Sequence, residues 1–565
     1  MKSAKPWRSL AVALGLTLVV AVAVACSPAS DQRGQSSRGP SPTKTSPPAA
    51  AAPVQPLDKT VTLRILGSTD LKDMEEVMAE ASRATNVKVE ISYVGSPVGA
   101  QMVAAGQTDG KFDALWFASN AYLPLQPGAI DKVATSTKIM TSPVSFGLDT
   151  DVAKRLGWDR KSPTWAEIAR AASAKKFTFG MSDPSVSNAA FSSLANIAAA
   201  LSGGGEVLKT SEVDAVAPQL RRFFAAQKMT AESASDLADK FLAQAGKPGN
   251  PDGIVNYESK LIALNASGKL AKPLTVVIPA DGVISADFPF ALLNGANPDI
   301  KSAYAVLLDW LRSPAGQQLI MDKTNRRPAA PGVKPDPKFG DRVLVELPFP
   351  AQRAVLDRLL TSYLNSIRRA TQSIYVLDLS GSMKGERIQA LRRALISLAG
   401  GTRSISSSGY AVFRQRERVT IIGYSSRVRS PKVFTISAKN PDKDLAQIRA
   451  AARKLDTDNG NTATFSALRE AYRLADQQIA SNPGALTSVV LMTDGETNRG
   501  IKFSEFSAFY RKLPQATQTV PTFAVKVGPA DAKTLGQVAG RTGGRVFTAT
   551  GVRLTKPFRE IRAYQ

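Results

Sequence analysis

Histidine is absent from the 565 residues, and cysteine occurs once, at Cys26. The first absence removes Ser-His and Cys-His nucleophile pairs and every imidazole-ligated metal site. The second removes any internal disulfide. Acidic residues are few beside basic ones, 47 against 72, which leaves a formal charge of +25. Such a surface favours anionic partners, whether membrane lipid, acidic wall polymer or nucleic acid, or else serves solubility alone. A phosphate-binding Gly-x-x-x-x-Gly-Lys-Ser/Thr loop is also missing. Gly203-Gly204-Gly205 leads to Lys209-Thr210 without the second glycine, which argues against a self-contained ATPase. Ser173-Ala-Lys-Lys176 fits Ser-x-x-Lys but has no companion motif, so chance explains it. The sequence therefore points away from an enzyme. What remains is a 43% hydrophobic content ordinary for globular chains, over a length that suits about three or four domains.

The N-terminus carries a targeting pattern. Lys2, Lys5 and Arg8 precede an uncharged run from Leu10 to Ala25, short for a membrane span. The run ends Ala23-Val24-Ala25-Cys26. It resembles the lipobox of bacterial lipoproteins, with Ala23 where the pattern usually carries Leu, Val or Ile. The resemblance implies a signal peptide over 1–26, lipidation of Cys26, and a chain anchored at the outer face of a bacterial cell membrane. Residues 27–57 are rich in Pro, Ser and Ala and lack the large apolar side chains that folding needs, so they read as a disordered tether.

From 58 to 335 strand and helix signals alternate, which predicts α/β structure with a largely parallel sheet. Val61–Leu66, Val87–Val94 and Asp113–Phe117 read as strands, and Ser142–Phe146 as a chain crossing. Several phrases here are similar to type 2 periplasmic solute-binding proteins: Pro143-Val144, Pro163-Thr164-Trp165-Ala-Glu-Ile168, Gly180-Met-Ser-Asp183-Pro184-Ser-Val-Ser187-Asn188, Asp281-Gly282 and Leu311-Arg-Ser313-Pro314-Ala-Gly316-Gln317. The resemblance implies two lobes joined by crossings near 141–147 and 275–290, with a small-molecule cleft between them. Loops after parallel strands face such a crevice. The cleft candidates are thus Ser68, Ser119, Ser185, Ser187, Asn188 and Asp281. Asp183 to Asn188 precedes an apolar helical pattern at Phe191, Leu194 and Ile197. Its polar groups either cap that helix or meet an anion at its N-terminus.

Residues 336–370 form a proline-rich connector and then a helix, with Val355, Leu356, Leu359, Leu360, Tyr363, Leu364 and Ile367 at helical spacing. That helix reads as a docking element or as a coupling between the domains.

The last part, 371–565, is organised around Tyr375-Val376-Leu377-Asp378-Leu379-Ser380-Gly381-Ser382-Met383. A buried strand ends in Asp-x-Ser-x-Ser, and a helical pattern follows at Ile388, Leu391, Leu395 and Leu398. Three oxygens on one turn are hard donors of the kind Mg²⁺, Ca²⁺ or Mn²⁺ prefers, yet too few alone for an octahedral ion. Gly460-Asn461-Thr462 offers a further hydroxyl, and Ser488–Gly495 is a second buried strand carrying Asp494 near its end. This trio resembles the metal-ion-dependent adhesion site of von Willebrand factor type A domains. By that resemblance Asp378, Ser380, Ser382 and Thr462 approach the metal, and Asp494 holds it directly or through water. An open coordination position would take a Glu or Asp from a protein partner. The fold implied is a doubly wound, Rossmann-like sheet. Its remaining strands are expected at 419–424, 432–436, 520–526 and 544–547, with helices at 442–454, at 464–480 and from about 553. Arg414, Arg416, Arg418, Arg427, Arg429 and Lys432 form a basic stretch that reads as a solvated face, with anionic lipid as the other reading. The chain as a whole reads as a lipid-anchored extracellular binding protein with no nucleic-acid role. The alternative is a solute receptor for an ABC-type importer.

Overall fold

The computed structural model describes residues 54–564, except 204–207, 247–248, 341–342, 401–411, 529–530, 550–553 and 563. Cys26, the signal segment and nearly all of the tether lie outside the described residues. So do part of the glycine run at 203–205 and the stretch before the basic segment at 412. Among the described residues no helix is long and apolar enough to cross a membrane.

Two sheets build the two-lobed first domain. The first runs, edge to edge, Val87–Val94, Val61–Ser68, Ala114–Trp116, Pro289–Leu293 and Val133–Lys138. Its first three strands are parallel and the late-arriving Pro289–Leu293 strand is antiparallel to Ala114–Trp116. The expected strands at 61–66, 87–94 and 113–117 are all present. Gly67 is needed where two strands close up, since a Cβ there would lie 2.7 Å from Ile91 Cγ2. The second sheet is built on Met140–Asp149. One half of that strand pairs with Ser285–Ala286 and Arg327–Pro328, the other with Gly253–Tyr257 and Leu274–Val277. The strand follows directly on Val133–Lys138 of the first sheet and opens the second, at the place expected for the first crossing. The returning segment falls within the expected 275–290. The third pass, Arg327–Pro328, is two residues long and leaves no periodic trace in the sequence.

The last domain is a six-stranded sheet in the order Lys432–Thr435, Glu417–Tyr424, Thr371–Asp378, Leu486–Thr493, Thr522–Lys526, Val546–Thr548. Every pairing is parallel except that of the edge strand Lys432–Thr435. All residues of Thr371–Asp378 are buried. Alternate side chains serve opposite faces, as strand geometry requires. Tyr375 and Leu377 pack with Leu391, Leu395 and Phe558, while Ile374 and Val376 pack with Leu468, Tyr472 and Phe506. Helices on both faces make the sheet doubly wound.

The connecting helix, Arg353–Ser362, ends in a wider turn over Tyr363–Ile367. It packs on the first domain: Tyr363 meets Phe224 with ring centroids 5.1 Å apart, and Arg358 pairs with Asp214 at 2.7 Å. The stretch before it lies on the returning crossing near Val283. Val283 donates to the Val345 carbonyl and Leu347 donates back to Val283, both at 2.8 Å. Phe349 then packs against Tyr122 of one lobe and Phe191 of the other, at 4.9 and 5.4 Å.

The second lobe meets the last domain through Asp236–Arg545 at 3.2 Å and a hydrogen bond from Arg369 to the Gln227 carbonyl at 2.8 Å. A cavity of about 310 Å³ lies in this contact, lined by Lys240, Phe523, Gly544, Arg545 and Tyr564 among others. Glu232 is part-buried near it. Burial, with Glu560 and Asp236 close by and Lys72 and Arg545 opposing, pushes its carboxyl from 4.5 up to about 7. A raised acid contributes stability that is full below its unfolded pKa and is lost as pH rises through the folded one. Raising pH from 5 to 7.5 should therefore destabilise the chain by up to about 3 kcal/mol, and Glu232→Gln should flatten that slope. Thermal melts across this pH range measure it. Lys240, brought down to about 8 by burial, acts mainly above this window.

Candidate metal centre and solute cleft

The strand Thr371–Asp378 delivers Asp378 to the carboxyl edge of the sheet, and the turn Gly381–Met383 folds back over it. Asp378 is fully buried and held at both oxygens. Oδ1 accepts from the Ser380 backbone N–H at 2.9 Å, and Oδ2 accepts from Thr493 Oγ1 at 2.6 Å. Ser380 Oγ and Ser382 Oγ are 3.1 Å apart, and Ser382 Oγ donates to Asp494 Oδ1 at 2.7 Å. Thr462 stands on the same rim: a Cβ on Gly495 would lie 3.6 Å from Thr462 Oγ1 and 3.8 Å from Ser382 Oγ. All five residues named from the sequence are thus brought together. Ser382 is exposed while the other four are buried, so the cluster opens to solvent on one side.

Electrostatics match this crowding. Burial raises the Asp378 carboxyl above its usual range, its hydrogen bonds to Thr493 and Ser380 counter that, and the nearby Asp494 adds to it. The donors are carboxylate and hydroxyl oxygens, which suit Mg²⁺, Ca²⁺ or Mn²⁺ over softer metals. Among the described residues no group of three or more His, Cys, Asp or Glu is placed to hold a metal. This rim has two carboxylates, so it would depend on hydroxyls for the rest.

Sequence reading missed three residues that shape the rim. Arg387, the second residue of the next helix, donates to Asp494 Oδ2 at 2.5 Å and to the Ser382 carbonyl at 3.0 Å. Asn498 fixes the Thr462 loop by accepting from the Thr462 N–H at 2.8 Å. Thr493 orients Asp378. Only Thr493, adjacent to Asp494, carried a positional hint.

In the first domain the named cleft residues are mostly engaged in local turns. Ser68 Oγ donates to Asp70 Oδ2 at 2.9 Å and accepts from the Asp70 N–H at 3.2 Å. Ser119 Oγ accepts from the Ala121 N–H, Ser185 donates through both N and Oγ to Asp183 Oδ1, and Ser187 accepts from Ser182. Asp281 takes the Trp165 N–H at the start of the helix Trp165–Ser173, which is a capping role. Asn188 differs: its Nδ2 donates to the Tyr257 hydroxyl at 3.0 Å. Around that bond lies a buried polar cluster that the sequence did not flag, made of Asp70, Tyr122, Tyr257 and Arg326. Burial raises the Asp70 carboxyl and the Tyr122 and Tyr257 phenols; the Asp70 charge adds to the rise at both tyrosines.

Comparison with known proteins agrees with this layout. The family described as von Willebrand factor type A domain matches residues 374–560. The family described as bacterial extracellular solute-binding protein matches residues 63–323. No curated protein matches the chain. Similar solved structures include a periplasmic thiamin binding protein, 15% identical over 55% of this chain and 97% of that one, with a TM-score of 0.44. Another is a ferric binding protein from Campylobacter jejuni, 12% identical over 53% of this chain and 98% of that one, with a TM-score of 0.40. A third is a periplasmic binding protein from Actinobacillus pleuropneumoniae, 13% identical over 55% of this chain and 99% of that one, with a TM-score of 0.39. In chain order, the molecule joins a domain of the bacterial extracellular solute-binding family to a von Willebrand factor type A domain.

Proposed function

We propose that this protein is a membrane-anchored extracellular binding protein, not an enzyme, whose type A domain captures an acidic side chain of a protein partner through a divalent cation. The observation that carries the reading is the convergence of Asp378, Ser380, Ser382, Thr462 and Asp494 on one rim with a solvent-facing side. A bound Mg²⁺, Ca²⁺ or Mn²⁺ would supply a Lewis-acidic position attractive to a carboxylate. The chain's own groups set that position up. Thr493 and the Ser380 N–H fix the Asp378 carboxylate, while Arg387 neutralises part of the Asp494 charge. Partial neutralisation leaves a cation there less compensated by the protein, and so more receptive to an incoming anion. Cys26 and the tether would hold the folded part away from the bilayer, on the extracytoplasmic side.

The test is a pull-down from membranes by the full chain, with Mg²⁺ or with EDTA. Partner recovery is expected with Mg²⁺ and not with EDTA. Equal recovery under both conditions would end the reading. Cys26→Ser is expected to shift the chain from the membrane fraction to the soluble one, read by immunoblot after fractionation.

A second reading, solute receptor for an ABC-type importer, is favoured by the buried polar cluster between the lobes. The two readings are compatible, because the connector touches both lobes through Phe349 and leads into the Asp378 strand.

A further inference from the structure

Four side chains between the lobes are nearly inaccessible and carry an atom with no partner among the described residues. They are Asp70 at 3% exposure, Tyr122 and Asn188 at 2%, and Arg326 at 0%. The unpaired atoms are Asp70 Oδ1, the Tyr122 hydroxyl, Asn188 Oδ1 and Arg326 Nε. The four are neighbours. Asn188 reaches the Tyr257 hydroxyl at 3.0 Å, and the Tyr257 ring is 6.0 Å from Phe288. Arg326 lies 4.6 Å over that same Phe288 ring and donates to the Asp70 carbonyl at 2.6 Å. Tyr122 stands near enough to feel the Asp70 charge, and its ring is closed off on the other side by Phe191 and the connector's Phe349, at 5.7 and 4.9 Å. A buried polar atom left unpaired costs about 1–3 kcal/mol, so four in one place call for partners that the surrounding side chains do not supply.

The hydrogen-bond roles define what fills it. Asp70 Oδ1 and Asn188 Oδ1 accept, Arg326 Nε donates, and the Tyr122 hydroxyl does either. The filler must therefore both give and take hydrogen bonds. Charge decides the rest. Asp70 and Asp73 are matched by Lys260 and Arg326, with Asp73 bonded to Lys260 at 2.6 Å and to Arg326 at 2.9 Å. The cluster is already neutral, and an ion entering it would lose its hydration without finding a counter-charge.

We infer that the inter-lobe cluster binds an uncharged polyhydroxylated molecule, a sugar or polyol, whose hydroxyls meet Asp70, Asn188, Tyr122 and Arg326. This rests on the two-lobed domain being a solute receptor. The test is calorimetry on the full chain with three probe sets: glucose, trehalose and myo-inositol; choline and spermidine; phosphate and molybdate. A neutral probe should bind. Asp70→Asn and Tyr122→Phe should each weaken it, at least about tenfold for Asp70→Asn because a charged acceptor is lost. Circular dichroism and melting establish that each variant is folded, and Tyr122→Phe decides alone if Asp70→Asn is not. Binding only by a charged probe overturns the inference and leaves the receptor reading standing. Binding by no probe overturns both. A neutral probe bound equally well by wild type and the folded variants also overturns the inference.

Discussion

Asp378→Ala is expected to abolish Mg²⁺ binding by the chain, measured by calorimetry and by the loss of any Mg²⁺-dependent rise in melting temperature. The effect should be complete because the rim has only two carboxylates among the described residues, and one of them, Asp494, is already paired with Arg387. Without Asp378 the five named positions together with Arg387 would carry no net negative charge to hold a dication. Wild type at about 100 times its Kd should gain about 2.7 kcal/mol from the ion, and Asp378→Ala should gain nothing. Thr462→Ala removes a neutral donor and should weaken binding without eliminating it. Arg387→Ala should act in the opposite direction, since it removes a cation bonded to Asp494 Oδ2 and returns that carboxylate's full charge to the rim. Tighter Mg²⁺ binding in that variant, beside none in Asp378→Ala, would separate a metal site from a purely structural hydrogen-bond cluster. Unchanged Mg²⁺ affinity in Asp378→Ala would show that the ion binds elsewhere.

The asymmetry between the two domains explains how much of this was readable. The type A rim was legible because its chemistry is concentrated. Asp378, Ser380 and Ser382 lie on one turn, and Thr462 and Asp494 each sit where a loop or strand reaches the same edge. Apolar runs such as Ile374–Leu377 and Val489–Met492 marked the buried strands directly. The cleft was less legible because its groups are scattered. Asp70, Tyr122, Tyr257 and Arg326 come from four separate segments, and none belongs to a spaced motif. Serines near strand ends drew attention instead, and most of them are engaged in local turns, as short hydroxyl side chains commonly are. The connector was visible as proline-rich sequence, yet its docking was not. Nothing in Glu346 or Phe349 by itself says that one reaches the Ser285 N–H and the other fills the space between Tyr122 and Phe191. Such contacts depend on which surfaces the fold brings near, and periodicity carries no record of that.

Glu417→Ala should cost the chain about 3–5 kcal/mol, the usual penalty for breaking a buried ion pair from one side. Glu417 opens the second strand of the last sheet and is 2% exposed. Its carboxylate accepts from Arg562 at 2.6 and 2.8 Å and also from Arg368. Arg368 lies just before the Thr371–Asp378 strand, and Arg562 ends the final helix, Thr555–Arg562. One carboxylate thus ties the chain entering the domain and the helix near its C-terminus to the same point of the sheet. Alanine would leave both guanidinium groups facing each other in a dry site, where neither can lose its proton. A domain of ordinary stability, about 5–15 kcal/mol, would surrender a large share of it. The comparison that isolates burial is Glu470→Ala. That residue pairs with Arg473 at 2.7 Å on an exposed helix face, and its loss should cost under about 1 kcal/mol. Denaturant melts of the two variants beside wild type give the answer. A Glu417→Ala transition within about 1 kcal/mol of wild type would mean that water reaches this site and that the two arginines do not depend on it.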